Sequence, residues 1–363
     1  MSPELAYALM WAAFGAYLGV LAAAPRLGRG FVWCAILVAV AGFALSPILL
    51  SHDVYSYLDY ARLGVVHGID PYVSPPAAAP ADPVYPDVEW TEATSAYGPL
   101  FTLLTYPLAW LPVDAAIAVL KALAAGSVLG LALLVARLAP TRGLDPTRAA
   151  AFVALNPLVL VHVVGGAHND GLAMLVAMVG VAGLLAAREA SAGAALVAAA
   201  AIKASTAVIA PFALLAAARP APSRLLAGAA VAIGALALAA WLAFGWDWLG
   251  AFGLAGENQG RTSYMSIPIT TARILALDAD PVRLLALALY AALLIYLLLW
   301  TWRGGDWLRA SAWATLGLLL ATSWLLPWYL VWALPLAALS RDRAAQLLTL
   351  SLTAYQLGAR IPL

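Results

Sequence analysis

Runs of roughly twenty apolar residues recur along the chain, which is the length that a helix needs to cross a bilayer core of about 30 Å. Hydrophobic residues make up 64% of the sequence and charged residues only 10%, whereas soluble domains hold roughly 25% charged residues. This composition excludes a soluble fold. We predict an all-α, polytopic integral membrane protein with about twelve transmembrane helices. The predicted spans are residues 5–24, 31–50, 114–138, 148–164, 171–187, 192–202, 205–218, 224–244, 283–302, 310–326, 328–339 and 344–360.

One membrane domain is predicted over residues 1–363, interrupted by two longer polar segments. Residues 51–113 form what we term the first outer loop, and residues 245–282 form the second outer loop. The apolar stretch that follows Tyr97 in the first outer loop is too short to cross a bilayer. We therefore expect an interfacial helix there, with Tyr97, Tyr106 and Trp110 at headgroup depth.

Two further features concern the spans themselves. The apolar runs on either side of Lys203 are short, so we expect a broken pair of helices that meet at this residue. The first apolar run has no basic residue before it. That pattern indicates a first span and not a cleaved signal peptide.

Arginine residues gather in alternate short turns between the predicted spans. Because basic residues in short loops mark the cytoplasmic side, both outer loops and the turn at residues 168–170 are predicted to lie on the opposite side. We therefore expect a multi-pass plasma-membrane protein whose reactive groups face the extracytoplasmic side. The arginines in these turns are Arg26, Arg29, Arg137, Arg142, Arg148, Arg188, Arg219, Arg224, Arg303, Arg309, Arg341 and Arg343.

Asp53 stands where the second predicted span ends. A carboxylate at a membrane edge is costly unless it has a partner or a function, so Asp53 is the first candidate for a catalytic group. The alternative is that Asp53 caps the helix that follows. Asp59 is the next acid, and Arg62 is spaced to pair with it on a helix. No Asp-x-Asp pair occurs here, so we predict no metal clamp for a phosphate, and a divalent metal remains an open alternative.

Histidines mark two other polar positions. His67 precedes a Gly and a Pro that end a helix, and those two residues are explained by the helix end, whereas His67 is not. His168, Asn169 and Asp170 share one turn between two spans. They are suited to bind sugar hydroxyls, and the alternative is that they are solvated turn residues.

Two cations on the predicted outer side are candidates to bind a phosphate. Lys203 interrupts a stretch that is otherwise free of charge, and it suits a lipid phosphate as a compact point charge. Its alternative role is to extend towards a lipid headgroup. Arg261 is a second cation, in the second outer loop, for which a solvated loop charge is the alternative. Five tryptophans gather on the same side, and most are expected to form an interfacial belt: Trp246, Trp248, Trp324, Trp328 and Trp332.

Signatures of soluble nucleotide-dependent or hydrolytic enzymes do not occur in the sequence. It has no Walker loop, no Gly-x-Ser-x-Gly and no His-Glu-x-x-His. The single cysteine, Cys34, permits neither an internal disulfide nor a cysteine metal cluster. We predict no cofactor and no nucleic-acid partner.

Several short motifs resemble those of GT-C superfamily glycosyltransferases. They are SHDVYSY at 51–57, HGIDPY at 67–72, YGPL at 97–100, GGAHND at 165–170 and LPWYL at 326–330. Within that superfamily the chain looks most like the actinobacterial polyprenol-phosphate-mannose-dependent α-1,6-mannosyltransferases of lipomannan synthesis. The resemblance implies a polyprenyl-phosphate sugar donor, inverting transfer to a glycan or glycolipid acceptor, and Asp53 acting as base. Membrane lipids are the other expected partners.

Motifs and resemblance together give a set of candidate site residues. They are Asp53 as the catalytic group; Lys203, Arg261 and His168 at the donor phosphate; and His52, Tyr57, Asp59, His67, Tyr97, Asn169, Asp170 and Trp328 at the sugar or acceptor. Two other classes of protein stay open from the sequence. One is a transporter or flippase for a polyprenyl-linked sugar, and the other is a non-catalytic lipid-glycan binding subunit.

Overall fold

The computed structural model describes residues 3–217, 222–251, 253–254 and 260–359. Throughout these residues the regular structure is helical and no strand occurs, which confirms the predicted all-α class. The α-helices are α1 Pro3–Ala23, α2 Arg29–Leu45, α3 Asp53–Val65, α4 Pro99–Thr105, α5 Val113–Leu138, α6 Pro146–Ala154, α7 Asp170–Leu185, α8 Glu189–Ile202, α9 Ala210–Ala217, α10 Ser223–Phe244, α11 Ile267–Ile274, α12 Ala279–Trp302, α13 Trp307–Ala321, α14 Leu330–Leu339 and α15 Arg343–Ala359.

Three helical segments among the described residues are long and apolar enough to cross a membrane: Val113–Arg142, Ser223–Phe244 and Ala279–Trp302. A fourth is added if the bent pair of α6 and the π-helix Val159–Gly165, at 63° to each other, counts as one span. Seven shorter apolar helical segments in the described part of the chain have 10–17 residues, and one of them is Tyr7–Ala23 within α1. Each predicted span is helical over most of its length, but the number of about twelve crossings remains a prediction.

A break at Lys203 separates α8 from the 3-10 helix Ala204–Ile209, which leads into α9. Lys203 itself is extended, with φ −149° and ψ 116°. The expected pair of short helices meeting at Lys203 is therefore confirmed. The backbone at this break is also engaged by the first outer loop, since the Gly98 N–H donates to the Ile202 carbonyl at 3.3 Å.

Gly98 lets the first outer loop approach the end of α8. A Cβ at this position would collide with the carbonyl of Ala201, so only glycine permits the contact. The helix α4 begins directly after Gly98, and a 3-10 helix, Tyr106–Trp110, continues it. Pro107 removes an N–H donor there, which explains why the expected single helix is divided into two.

Of the three aromatic residues expected at headgroup depth, Trp110 is exposed over 72% of its surface. Tyr97 differs from the prediction. Its ring packs edge-on against Tyr57, with 4.8 Å between ring centroids, and it also lines an internal cavity.

The largest core cluster joins α1, α2, α5 to α9 and α13 to α15, whereas α10 and α12 present most of their apolar side chains outward. At one end, Arg142 pairs with Asp306, and Arg309 Nε pairs with Asp342 Oδ2 at 2.6 Å. These pairs join turns that the arginine pattern predicted to share one side. Asp53 and Lys203 lie together elsewhere, at the cavity described next.

Candidate active site

A cavity of about 620 Å³ lies between the start of α3, the break at Lys203 and the turn before α14. Asp53, Lys203 and Arg261 all line it, as do Tyr97 and Trp328. Two groups separated by 150 positions in the sequence are thus brought to one space. This juxtaposition is the geometric condition on which the sequence hypothesis of a shared site depended.

Asp53 is the first residue of α3, and His52 holds the N-cap position without a side-chain cap bond. The Trp90 indole N–H donates to Asp53 Oδ1 at 3.0 Å, and Asp53 Oδ2 lies 3.6 Å from His168 Nδ1. The interpretation of Asp53 as a helix cap is therefore wrong. Its carboxylate is directed towards the loop and the cavity.

The electrostatic surroundings of Asp53 favour a proton-accepting role. The pKa of this carboxyl is raised to about 6, chiefly by burial. The Trp90 hydrogen bond and the Lys203 charge oppose this rise, and the negative charges of Glu89 and Asp170 add to it. The side chain is 16% exposed. A carboxylate with a pKa close to the working pH is a better general base than one at its ordinary value.

Lys203 turns into the cavity and makes one strong ionic contact. Its Nζ donates to Asp170 Oδ2 at 2.7 Å, and the Trp332 indole N–H donates to Asp170 Oδ1, also at 2.7 Å. The rings of Tyr329 and Trp332 lie 5.2 Å and 5.8 Å from Nζ. An ammonium has three N–H donors, so the contact with Asp170 leaves donors for an anion in the cavity. The alternative in which the Lys203 side chain extends to a lipid headgroup does not fit this position, because Asp170 holds the ammonium at the cavity.

The turn of His168, Asn169 and Asp170 is buried, with exposed fractions of 0%, 4% and 0%. Its interpretation as a solvated turn is therefore wrong. None of the three lines the large cavity. Asp170 holds Lys203, and the His168 ring stacks on Trp328 with 3.7 Å between centroids. Their predicted direct contacts with phosphate or sugar find no geometric support, whereas their contacts with cavity-lining side chains are explicit.

The surroundings of His168 disfavour its charged form. Burial lowers its pKa, and the positive charge of Lys203 lowers it further. The Tyr57 hydroxyl lies 3.4 Å from His168 Nδ1. Tyr57 is only 2% exposed and packs behind the residues that line the cavity, so it is not itself a lining residue.

Three other predicted sugar-contact residues lie away from the cavity lining. His52 is exposed and packs edge-on against Tyr55, with 5.5 Å between centroids. Asp59 is 1% exposed, and its burial, together with the nearby charge of Asp82, raises its pKa to about 7. His67 Nε2 lies 2.6 Å from Asp82 Oδ2.

Asp82 is also the partner of Arg62, whose Nε lies 2.9 Å from Oδ1. The predicted pairing of Arg62 with Asp59 is therefore wrong. Burial raises the pKa of Asp82, but hydrogen bonds from Arg62, from the Val84 N–H and from His67 outweigh burial and hold the pKa below its ordinary value.

Sequence reasoning missed several cavity residues. Glu89 and Trp90 were not singled out, although an acid next to a tryptophan in the first outer loop was a usable signal. Trp324 and Trp332, which were expected in the interfacial belt, line the cavity instead, together with Trp328, which was a candidate sugar contact. Trp246 is 67% exposed, as a belt residue would be.

The second outer loop contributes Arg261, whose guanidinium carbon lies 5.0 Å from the Trp90 ring centroid. The neighbouring Glu257, Asn258 and Gln259, part of the same predicted loop, lie outside the described residues. Within the described ranges, no group of three or more His, Cys, Asp or Glu side chains is arranged to hold a metal ion.

Among the described residues the regular structure is helical, long apolar helices are present, and Asp53 and Lys203 line a common cavity. Residues 4–219 match the family model described as "Alpha-(1->6)-mannopyranosyltransferase, N-terminal domain". The chain belongs to this family.

Two relatives define the extent of the similarity. Alpha-(1->6)-mannopyranosyltransferase A of Mycobacterium tuberculosis is 30% identical over 334 residues, which cover 83% of this chain and 64% of the relative. Alpha-(1->6)-mannopyranosyltransferase A of Corynebacterium glutamicum is 32% identical over 190 residues, which cover 50% of this chain and 38% of the relative. The chain thus spans less than two thirds of the length of these relatives. No solved structure matches it.

Proposed function

We propose that this protein is an inverting glycosyltransferase that moves a hexose, mannose in the first instance, from a polyprenyl-phosphate donor to a glycan or glycolipid acceptor. The observation that carries the proposal is that Asp53 and Lys203 line one cavity of about 620 Å³. A base and a cation facing the same space are what this transfer requires. Membership of the mannopyranosyltransferase family supports mannose as the sugar.

Asp53 is the proposed general base. It accepts the proton of an acceptor hydroxyl while that oxygen forms a bond to the anomeric carbon of the donor sugar. The bond between the anomeric carbon and the phosphate oxygen breaks at the same time, and the phosphate keeps the electron pair. General-base assistance of this kind contributes typically about 10²- to 10⁴-fold.

Lys203 and Arg261 are the proposed phosphate contacts. The leaving phosphate needs positive charge more than a proton, and charge-assisted donors in a half-buried site supply it. Both residues line the cavity together with Asp53. Attack from the base side and departure on the cation side give inversion, by the geometric logic that applies to inverting glycosidases.

Apolar and aromatic groups complete the lining. Ile202, Leu318 and Leu326 offer an apolar wall suited to the first units of a polyprenol, and Trp324 and Trp328 offer faces for a sugar ring. Such a mixture of apolar surface and a few placed polar groups is typical of ligand sites. The donor tail then lies among the apolar helices and membrane lipids.

The arginine pattern supports a plasma-membrane location with this cavity on the extracytoplasmic side. In the same proposal the apolar helices make about twelve crossings, several of them short. The orientation is tested by adding a membrane-impermeant thiol reagent to cells that carry Ala81→Cys, at an exposed position of the first outer loop, in a Cys34→Ser background. Labelling from outside is expected, and labelling only after lysis would reverse the orientation.

The activity test uses purified protein, radiolabelled polyprenyl-phosphate mannose and a short α-mannan acceptor. Wild-type protein should extend the acceptor, and Asp53→Asn should lower the rate by about 10³-fold while donor binding survives. Asp114→Asn, an acid at the start of α5, is the matched control. Wild-type turnover by Asp53→Asn would end the assignment of the base. Donor transport without transfer would favour the flippase, and donor binding alone would favour a binding subunit.

A further inference from the structure

Trp90 touches two groups of the proposed chemistry at once. The edge of its indole donates a hydrogen bond to Asp53 Oδ1 at 3.0 Å. Its ring faces Arg261, whose guanidinium carbon lies 5.0 Å from the ring centroid. Asp53 and Trp90 belong to the first outer loop and Arg261 to the second, so one side chain bridges the two loops over the cavity.

Two hydrogen bonds hold the backbone that directly follows Trp90. The Ala77 N–H donates to the Thr91 carbonyl at 2.9 Å, and the Tyr60 hydroxyl donates to the Ala93 carbonyl at 2.8 Å. Before Trp90 in the same segment, the Asp82 carboxylate contacts the side chain of Arg62, in α3, and that of His67, just after α3. Trp90 therefore projects from a loop segment that hydrogen bonds anchor to the rest of the first outer loop and to α3.

Arg261 also comes from anchored backbone. The Ser263 N–H donates to the Ser323 carbonyl at 2.8 Å, and the Ser263 hydroxyl donates to the Leu325 carbonyl at 2.9 Å. These bonds tie the second outer loop to the turn that carries the cavity tryptophans. A guanidinium is attracted electrostatically to the face of an indole, and this attraction favours one position of the Trp90 side chain.

We propose that Trp90 is the positioning residue of Asp53, and that Arg261 in turn positions Trp90, so that both outer loops fix the orientation of the base. The indole N–H holds Oδ1 and thereby sets the rotation of the carboxylate about its last bond. This inference rests on the proposed function, because it assigns a role relative to a base.

Several groups face Asp53 and contribute to its protonation behaviour besides Trp90. They are Glu89, His168, Asp170, Lys203 and the hydroxyls of Tyr57, Tyr60 and Tyr97. A hydrogen bond donated to the ionised carboxylate favours that form. Removal of the indole N–H, with these other groups unchanged, therefore shifts the ionisation of Asp53 to higher pH.

The test compares Trp90→Phe with Trp110→Phe in full-length detergent-purified protein. Trp110 lies in the same loop, is 72% exposed and undergoes the same chemical change. For W90F we expect a fall in kcat of about 10-fold or more, an unchanged donor KM and an acid limb of the pH profile at higher pH. W110F should match wild type in all three. A W90F profile identical to that of W110F would overturn the proposal.

A second substitution at position 90 tests the hydrogen-bond role separately. Trp90→Gln restores an N–H donor without the ring, so its acid limb should return towards that of wild type, and a limb that stays with W90F would contradict the hydrogen-bond role. If W90F does not fold, Trp90→Leu, which also lacks the N–H donor, takes its place in the comparison with W90Q.

The Arg261 part is tested by a double-mutant cycle of Trp90→Phe and Arg261→Lys, which keeps the charge but not the planar stacking. Non-additive effects on the acid limb support coupling through Trp90, and additive effects reject it. Activity in Asp53→Asn would defeat the proposed function itself, whereas an inactive Asp53→Asn beside a normal W90F would defeat only this inference.

Discussion

The Lys203 ammonium is held 2.7 Å from Oδ2 of Asp170, and the other oxygen of that carboxylate accepts the Trp332 indole N–H. Asp170 is fully buried, while the Lys203 side chain keeps 18% of its surface exposed towards the cavity. Asp170 is therefore the buried, structural member of the pair, and Lys203 is the member that can contact a ligand in the cavity.

Asp170→Asn should destabilise the protein because it leaves the Lys203 charge without its buried counter-charge. Breaking such a pair from one side costs about 3 kcal/mol or more. The measurement is the thermal unfolding midpoint in detergent. Asp280→Asn is the matched control, since Asp280 is 83% exposed in its pair with Arg283, and no shift is expected there. Equal midpoints for both variants would show that the Asp170 contact is not structural.

Lys203→Met should weaken donor binding about 10- to 100-fold, the value of one charge-assisted contact to a phosphate. This single change also strands Asp170, so the binding effect needs separation from a stability effect. The double variant Lys203→Met/Asp170→Asn removes both charges and should recover much of the lost stability. Its donor affinity should nevertheless stay low. If affinity recovered together with stability, Lys203 would have no phosphate role.

The pH dependence of transfer should follow the ionisation of Asp53. Because burial raises its pKa to about 6 and a base works only when ionised, kcat/KM should fall about tenfold per pH unit below that value. A raised pKa also means that the stabilisation from Asp53 is complete below its unfolded pKa and is lost as pH rises through about 6. The measurement is the initial rate at a donor concentration well below its KM, and a flat kcat/KM between pH 5 and pH 8 would contradict Asp53 as the base.

Asp59→Asn should stabilise the protein at alkaline pH. Burial raises the pKa of Asp59 to about 7, so the stabilisation from this group is complete below its unfolded pKa and is lost as pH rises through about 7. At pH 8 we expect an unfolding midpoint above that of wild type, by an amount equivalent to on the order of 2 kcal/mol. The difference should be smaller at pH 5 and should vanish only below the unfolded pKa of about 4. A variant less stable than wild type at pH 8 would show that the ionised carboxylate has a partner.

Local sequence information predicted much of the helical framework. The apolar runs became helices, α3 starts at the acid that ends the second run, and the charged interruption at Lys203 became a break. These outcomes depend on hydropathy and on Pro and Gly within a few residues, which the sequence states directly. The number of membrane crossings was not fixed in this way, since many of the helices are shorter than a bilayer requires.

Partner choice was decided only by the tertiary structure. Trp90 lies 37 residues from Asp53, and Asp170 lies 33 residues from Lys203. The helical spacing rule favoured Asp59 as the partner of Arg62, yet the loop brought Asp82, 20 residues away, to that guanidinium.

The sequence by itself determined which segments are helical and apolar, because hydropathy and backbone restriction act over one or two turns. It did not determine which loop residues meet over the cavity. Such contacts depend on how irregular segments close back onto helices, for which no periodic pattern exists. The tertiary structure therefore decided the surroundings of Asp53 and Lys203, and with them the chemistry that the cavity can support.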